Sequence, residues 1–123
     1  MKQYLVIFKC RDGGVRHKEW NSYALEEKNQ RMVDGKKKLD DWFKKHQHLV
    51  VSHPVELATQ SLWIESAGVT EMESLMGSFL VIQAKSLEQA ATIFTDHPHF
   101  SCFPGDGIQI TECRPSAGAL SSL

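Results

Sequence analysis

The sequence predicts an α+β domain in which an antiparallel sheet is covered on one face by two helices. Three observations support this prediction. Short apolar segments alternate with two segments of helical periodicity, and glycine, proline or polar clusters separate them. The chain has 123 residues, 41% of them apolar and 24% charged, which suits one core. We therefore expect a single domain over residues 1–115 and a loose tail over residues 116–123.

The first strand is predicted from Gln3 to Cys10, a segment rich in β-branched and aromatic residues. The turn residues 11–14 (RDGG) end it. Its apolar residues are continuous rather than alternating, which is typical of a strand that is covered on both faces.

A long amphipathic helix is predicted from Leu25 to His46. Its apolar residues recur at spacings of three and four, and its charged residues occupy the other side. Gly35 lies within the apolar stripe and costs roughly 1 kcal/mol relative to alanine, unless another backbone packs close to it. The lysines at 36–38 are interpreted as a solvated face.

The remaining elements are strands, a loop and one shorter helix. Strands are predicted at His48–Glu56, Thr59–Glu65, Ser78–Ala84 and Ile108–Arg114, and a loop with one helical turn at Ser66–Met76. The segment that begins at Ser86 has a capping box and continues as a helix that ends before a proline. The order of elements is ferredoxin-like, βαβ(β)βαβ.

A homodimer is predicted from the uncovered side of this sheet. Two helices cover only one face, yet the first strand and the Ser78–Ala84 strand are apolar on both faces. The second face therefore needs a partner, and a second copy of the same sheet is the simplest one. An interface of about 800 Å² per subunit would match a standard stable complex.

Charge and composition disfavour several classes of protein. Lysine and arginine number 14 and aspartate and glutamate 15, so no basic face for nucleic acid or for an anionic membrane is expected. The longest apolar run near the N-terminus has five residues, too few for a membrane span or a signal-peptide core. Three cysteines without Cys-x-x-Cys spacing fit a reduced, cytoplasmic chain.

Four segments carry a family resemblance: Met1–Ile7, Gly77–Ala90, Asp96–Pro98 and Gly107–Pro115. In these segments the chain resembles the YCII-related family, the DGPF-type group of small proteins that form dimeric α+β barrels. The resemblance implies the same dimeric barrel, with a small-molecule pocket between sheet and helices. It also implies acid/base chemistry without a cofactor, of a lactone or dehalogenation type.

The chain departs from that family at two motifs. The Asp-Gly-Pro-Phe signature is expected just before Gly77, where this chain reads VTEMESLM. Some relatives use a histidine on the first helix and an aspartate near the end of that helix as acid and base. The corresponding positions fall near Lys36 and Lys45, so this dyad is not carried over.

The chain has six histidines, and two of them are candidates for catalysis. His53 precedes Pro54 in a strand expected to line the space between sheet and helix, which makes it the favoured proton carrier. His97 is expected to support it, and the adjacent Asp96 could fix the tautomer of the His97 ring. The His-Pro pair also fits a purely structural interpretation as the end of a helix.

The first helix supplies the expected ligand contacts. His46, Trp42 and Phe43 lie on or beside its apolar stripe near the C-terminal end. We expect these three side chains to contact a ligand in the pocket. His46 also fits an alternative role as a cap of the helix C-terminus.

Metal and cofactor sites are not expected. Two His-x-His pairs, 46/48 and 97/99, can each place two imidazoles on one side of an extended segment, but no Cys-x-x-Cys or His-Glu-x-x-His motif accompanies them. The sequence thus predicts a homodimer that binds a small organic molecule and acts on it without a metal or cofactor. One alternative is a non-catalytic ligand-binding or assembly module, and the other is a metal site formed by histidines.

Overall fold

The computed structural model of the chain describes residues 1–10, 14–73, 76–100 and 102–115. In chain order the elements are β1 (Lys2–Lys9), α1 (Val15–Ser22), α2 (Leu25–His46), β2 (Val50–Glu56), β3 (Gln60–Glu65), β4 (Gly68–Glu73), β5 (Met76–Ala84), α3 (Leu87–Ile93) and β6 (Gly107–Cys113). A 3₁₀ turn at Gln47–Leu49 joins α2 to β2. The tail predicted at 116–123 lies outside the described residues, as does most of the turn predicted at 11–14.

The predicted α+β class and ferredoxin-like plan are confirmed. Four strands form one antiparallel sheet in the order β2-β5-β1-β6, and β3 and β4 form a separate antiparallel pair. The two central strands, β1 and β5, are the two whose sequences are apolar on both faces. Each pairs with a neighbour on either side, as expected for central strands.

The core lies on one face of the four-stranded sheet. Tyr4, Val6 and Phe8 of β1 are buried against α2 and α3, together with Leu80, Ile82 and Ala84 of β5. Trp42 connects the two helices, because its indole Nε1 donates a hydrogen bond to the carbonyl oxygen of Ile93 at 3.1 Å. The alternate residues of β1 and β5 point to the opposite face and are only partly buried.

The helix α1 is an addition to the two helices that the sequence predicts. None of its residues is buried, so it has no apolar stripe from which periodicity could have revealed it. Arg16 donates a hydrogen bond to the carbonyl oxygen of Phe100, which holds α1 against the loop that follows α3.

The loop with one helical turn predicted at Ser66–Met76 is wrong over most of its length. Residues 68–73 form β4, which pairs with β3 through partners such as Val69 and Ile64. Only residues 66 and 67 form the turn, and Gly68 follows them with φ 147°, a conformation that side chains rarely allow. The sequence places a glycine at this bend, which turns the chain into a hairpin rather than a loop.

The predicted capping box starts α3. The Oγ atom of Ser86 accepts a hydrogen bond from the backbone N–H of Gln89 at 3.1 Å. In return, the Oε1 atom of Gln89 accepts from the backbone N–H of Lys85 at 2.6 Å, one residue before the cap. The helix ends at Ile93, and the chain then enters a compact loop around Pro98.

Within the described ranges, no helix combines the length and the apolar character needed to cross a membrane.

Candidate functional site

A cavity of about 610 Å³ lies between α2 and the face of the sheet that carries the core. This volume is in the usual range for small-molecule sites. One wall is the stripe of α2 formed by Met32, Val33, Lys36, Leu39 and Phe43. The spacing of three and four residues places these side chains on one side of the helix.

The sheet forms the floor of the cavity. Phe8 of β1 pairs with Ser78 of β5, and Ser78 pairs in turn with Glu56 of β2. These three residues therefore lie in one row across adjacent strands, on the side that faces α2. Leu80 and Pro54 complete the floor. The floor is thus apolar at β1 and polar toward the β2 edge.

The loop after α3 closes one end of the cavity with His97, His99 and Phe103. The ring centroids of His97 and His99 lie 4.9 Å and 5.4 Å from that of Phe8. Gly35 allows this loop to approach α2, because a Cβ atom at position 35 would lie 2.5 Å from Cζ of Phe103. The close approach suggested by Gly35 in the apolar stripe is therefore present, although side chains rather than backbone make it.

His97 is neutral, with a defined position for its ring proton. Its Nδ1 atom accepts a hydrogen bond from the backbone N–H of His99 at 3.0 Å, so the proton of the neutral ring is on Nε2. Burial lowers the pKa of His97 to about 4, and the nearby His99 adds to this effect while Asp96 opposes it. Nε2 makes no hydrogen bond with the described residues, and the His97 ring belongs to the lining of the cavity.

His99 has a supporting role. Its Nε2 lies 3.1 Å from the carbonyl oxygen of Gly107, an acceptor that requires the proton on this nitrogen. Burial lowers the pKa of His99, while its hydrogen bonds to backbone carbonyls oppose the shift. Gly105 lies directly against the ring, since a Cβ atom there would be 2.3 Å from Nε2. The ring of His99 therefore has little room to move. This supports the position of the His99 backbone N–H, which donates to Nδ1 of His97.

Lys36 and Glu56 bring charge to the cavity. They are the only lysine and the only carboxylate among the described residues that line it, and they lie on opposite walls, helix and sheet. Neither was predicted as a site residue. Lys36 belongs to a run interpreted as solvated, and the side on which Glu56 lies depends on the irregular register between β2 and β5. The only signal for Lys36 was its alignment with the family's helix histidine.

Two of the six predicted site residues, His97 and Phe43, line this cavity. Trp42 is 4% exposed and belongs to the core instead. His53 is exposed on β2 and is not among the cavity-lining residues, whereas its neighbour Pro54 is. Side chains of successive strand residues point to opposite faces, which separates the two.

Asp96 and His46 line a second cavity of about 550 Å³ at the other end of α2. The carboxylate of Asp96 lies 3.8 Å from the ammonium of Lys45, and the N–H of His99 rather than Asp96 engages Nδ1 of His97. The Nε2 atom of His46 is buried without a hydrogen-bond partner in the part of the chain that the structure describes. The structure therefore does not bring Asp96 and His97 together as an acid/base pair in one cavity.

No metal-binding arrangement occurs among the described residues. No group of three or more histidine, cysteine, aspartate or glutamate side chains in these ranges could hold an ion. In the His97/His99 pair, one nitrogen of each ring is already engaged by the backbone.

The fold is similar to that of a solved enzyme structure, 5-chloro-2-hydroxyhydroquinone dehydrochlorinase from Burkholderia phenoliruptrix in complex with 2,5-dihydroxybenzoquinone. The TM-score is 0.54 and the sequence identity 13%, with 94% of this chain and 97% of that chain covered. No family model and no curated protein matches the chain. At this identity the similarity concerns the fold alone.

Proposed function

We propose that this chain is a YCII-related protein that binds a small, largely apolar organic molecule between α2 and the sheet, and acts on it without a cofactor. The observation that carries the proposal is the state of His97. A neutral imidazole, with Nδ1 fixed by the backbone and Nε2–H free, lies at the end of a cavity of about 610 Å³ with mostly apolar walls. This arrangement offers one oriented hydrogen-bond donor to an oxygen atom of the ligand.

His97 acts in this proposal as a donor rather than as a base. Its Nδ1 lone pair already accepts from the N–H of His99, and Nε2 carries the proton. A neutral imidazole in this form polarises a carbonyl or hydroxyl oxygen without giving up its proton. The base is Glu56, the one carboxylate among the described residues of the lining. Lys36 on the facing wall stabilises negative charge that develops on the ligand.

Elimination of hydrogen chloride is the reaction type that these groups suit, and the fold of the dehydrochlorinase supports it. The carboxylate of Glu56 takes a proton from a hydroxyl or C–H group of the ligand. The electron pair left behind forms a new double bond, the C–Cl bond breaks and chloride leaves. His97 and Lys36 hold the oxygen on which charge accumulates, and no oxidant or reductant is consumed.

We propose a homodimer as the functional form. Leu5 and Ile7 of β1 lie opposite Val81 and Phe79 of β5, and these four side chains form an apolar band on the face away from α2 and α3. A second copy of the same sheet would cover this band. Sedimentation of the unaltered chain at micromolar concentration should give a dimer, and a stable folded monomer would contradict this part of the proposal.

A second candidate is a non-catalytic ligand-binding or assembly module. It is favoured by the position of Asp96, which lines a different cavity from His97, so the acid/base pair expected from the sequence does not form in one cavity. This candidate shares the cavity and the role of His97 as a donor. It differs only in leaving the bound molecule unchanged.

A panel of chlorinated hydroxyquinols, lactones and halogenated acids tests the two candidates. Chloride release or a spectral change in the ligand measures turnover, and thermal shift measures binding. We expect turnover of a chlorinated hydroxyquinol, reduced about 100-fold or more in His97→Asn and in Glu56→Gln. His53→Ala tests the prediction made from the sequence, and here we expect no change.

Two results would decide against the enzymatic proposal. The first result is a saturable thermal shift with no product for any molecule of the panel. This result would support the non-catalytic binding module. The second result is that His97→Asn retains turnover and His53→Ala loses it. This result would place the catalytic residue on β2 and contradict the role of His97.

A further inference from the structure

The hairpin formed by β3 and β4 is an exposed arm. Among the residues that the structure describes, its two strands make extensive contact only with each other. Every residue of β4 is exposed, and in β3 only Ser61 is partly buried. The hairpin nevertheless carries five large apolar side chains that are between 44% and 75% exposed: Leu62, Trp63, Ile64, Val69 and Met72.

Such a hairpin requires a cover. A two-stranded hairpin alone is marginally stable in water, and each face of this hairpin carries at least two large apolar side chains that are exposed to solvent. The register places Leu62, Ile64 and Val69 on one face and Trp63 and Met72 on the other. Both faces of the arm are therefore apolar.

The cover is expected to come from another molecule. Residues 57–59 connect β2 to β3, and three residues span at most about 10 Å. The backbone N–H of Leu57 also donates to the carbonyl oxygen of Gly77 at 3.0 Å, which ties the connection to β5. The arm is thereby held away from its own α2, with which it makes no extensive contact in the described part of the chain.

The charges of the arm indicate the type of surface that it binds. Residues 60–73 contain Glu65, Glu71 and Glu73 and no lysine, arginine or histidine. A surface that is apolar with a lysine-rich border would complement it. The chain has such a surface on α2, where Met32 and Val33 are 50% and 65% exposed and are followed by lysines at 36, 37 and 38.

We propose that the hairpin is an inter-subunit arm that lies across α2 of a second copy. There its apolar side chains cover Met32 and Val33, its glutamates face the lysines, and the arm narrows the mouth of the partner's cavity, which these two residues line. The inference rests on the homodimer proposed above. The apolar face of the arm that lies against α2 adds to the area buried between the sheets, toward the roughly 800 Å² per subunit of a standard interface.

Sedimentation equilibrium of hairpin variants tests whether the arm binds the second copy. Leu62→Thr/Ile64→Thr places β-branched residues, which suit a strand, at both positions and removes much of its apolar surface. We expect the dissociation constant of the dimer to rise at least tenfold. The matched control is Gln60→Thr on the same strand, for which we expect less than a twofold change.

Charge exchange and cross-linking test which surface receives the arm. Glu71→Lys/Glu73→Lys should weaken the dimer at least fivefold, and adding Lys37→Glu/Lys38→Glu should restore it. In a mixture of ¹⁴N-labelled and ¹⁵N-labelled chains, a zero-length carboxyl-to-amine cross-linker should join Glu71 or Glu73 to residues 36–38 across the two labels. Cross-links only between residues of the same label, or cross-links to lysines on other elements, would overturn the proposal. It would also be overturned if the lysine substitutions did not restore the dimer.

The arm and the dimer fail in distinguishable ways. A dimer that is unaffected by the hairpin variants would remove the arm and leave the interface between sheets in place. If the unaltered chain is a monomer, both the arm proposal and the homodimer proposal are contradicted. The proposed roles of the cavity and of His97 are tested separately, by ligand binding.

Discussion

At the scale of single residues, His97 links the chemistry of the site to the stability of the fold. Its pKa is about 4 in the folded chain and near 6.5 when unfolded. Between these values the unfolded state binds more protons, so the free energy of unfolding falls as the pH drops from 6.5 toward 4. The full effect amounts to about 3 kcal/mol. The pKa values of His99 and His46 are also lowered and act in the same direction.

Replacing His97 should flatten this pH dependence. In His97→Asn, the side-chain oxygen can still accept from the N–H of His99, but the residue no longer titrates. Urea unfolding at pH 7 and pH 4.5 should show that the variant loses about 2 kcal/mol less stability than the unaltered chain. His48→Asn, at an exposed histidine, is the control and should keep the original slope. An unchanged slope in His97→Asn would show that its pKa is not lowered.

The two glycines around His99 provide a steric test of the loop. A Cβ atom at position 105 would lie 2.3 Å from Nε2 of His99, whereas one at position 107 meets nothing within 4 Å. We expect Gly105→Ala to destabilise the fold by about 1–3 kcal/mol and to weaken ligand binding, because the ring of His99 must move. Gly107→Ala, measured by the same urea unfolding, should change stability by less than about 0.5 kcal/mol. Equal effects would contradict the wedged position of His99.

At the scale of secondary-structure elements, the N-cap of α3 supports the loop that carries His97. Ser86→Ala removes the oxygen that accepts from the N–H of Gln89, and we expect a loss of about 1 kcal/mol in thermal or urea unfolding. Ser86→Asp retains an acceptor at the cap and should stay near the original stability. A cost in both variants would indicate that the size of Ser86 matters rather than its hydrogen bond.

The elements of the core could be predicted from a buried pattern or a cap, and the exposed strand β3 from the alternation of its side chains. Apolar runs or apolar periodicity in the sequence predict β1, β5 and α2. The capping box predicts the start of α3. The exposed elements α1 and β4 could not be found this way, since neither buries a residue of its own. Whether a hairpin or a loop forms at residues 66–76 depends on the pairing with β3, which a single strand pattern does not reveal.

The candidate site was predictable only in part, because some of its residues are brought to the cavity by strand pairing that the sequence pattern does not reveal. The loop position of His97 follows from the helix end at a His-Pro pair, and Phe43 follows from the stripe of α2. The roles of Glu56 and Pro54 depend on a bulged register between β2 and β5 that decides which side chains face the cavity. His53 was favoured from the same strand, and the structure places it outside the cavity.

At the scale of the whole molecule, two apolar surfaces are only partly covered within the described chain. One is the band of β1 and β5 on the face away from the helices, and the other is the hairpin arm. A homodimer would cover both, the first by sheet against sheet and the second by arm against α2. The cavity between α2 and the sheet would then be bordered by both subunits.

The central claim is that the cavity presents the free Nε2–H of His97 to a bound molecule. Nitrogen NMR of the histidine rings at pH 7, recorded with and without a saturating molecule from the panel, tests it most directly. We predict that His97 is protonated on Nε2 and not on Nδ1, and that binding shifts the Nε2 resonance while Nδ1 stays in place. A ring protonated on Nδ1, or a bound molecule that shifts His53 and leaves His97 unchanged, would contradict the claim.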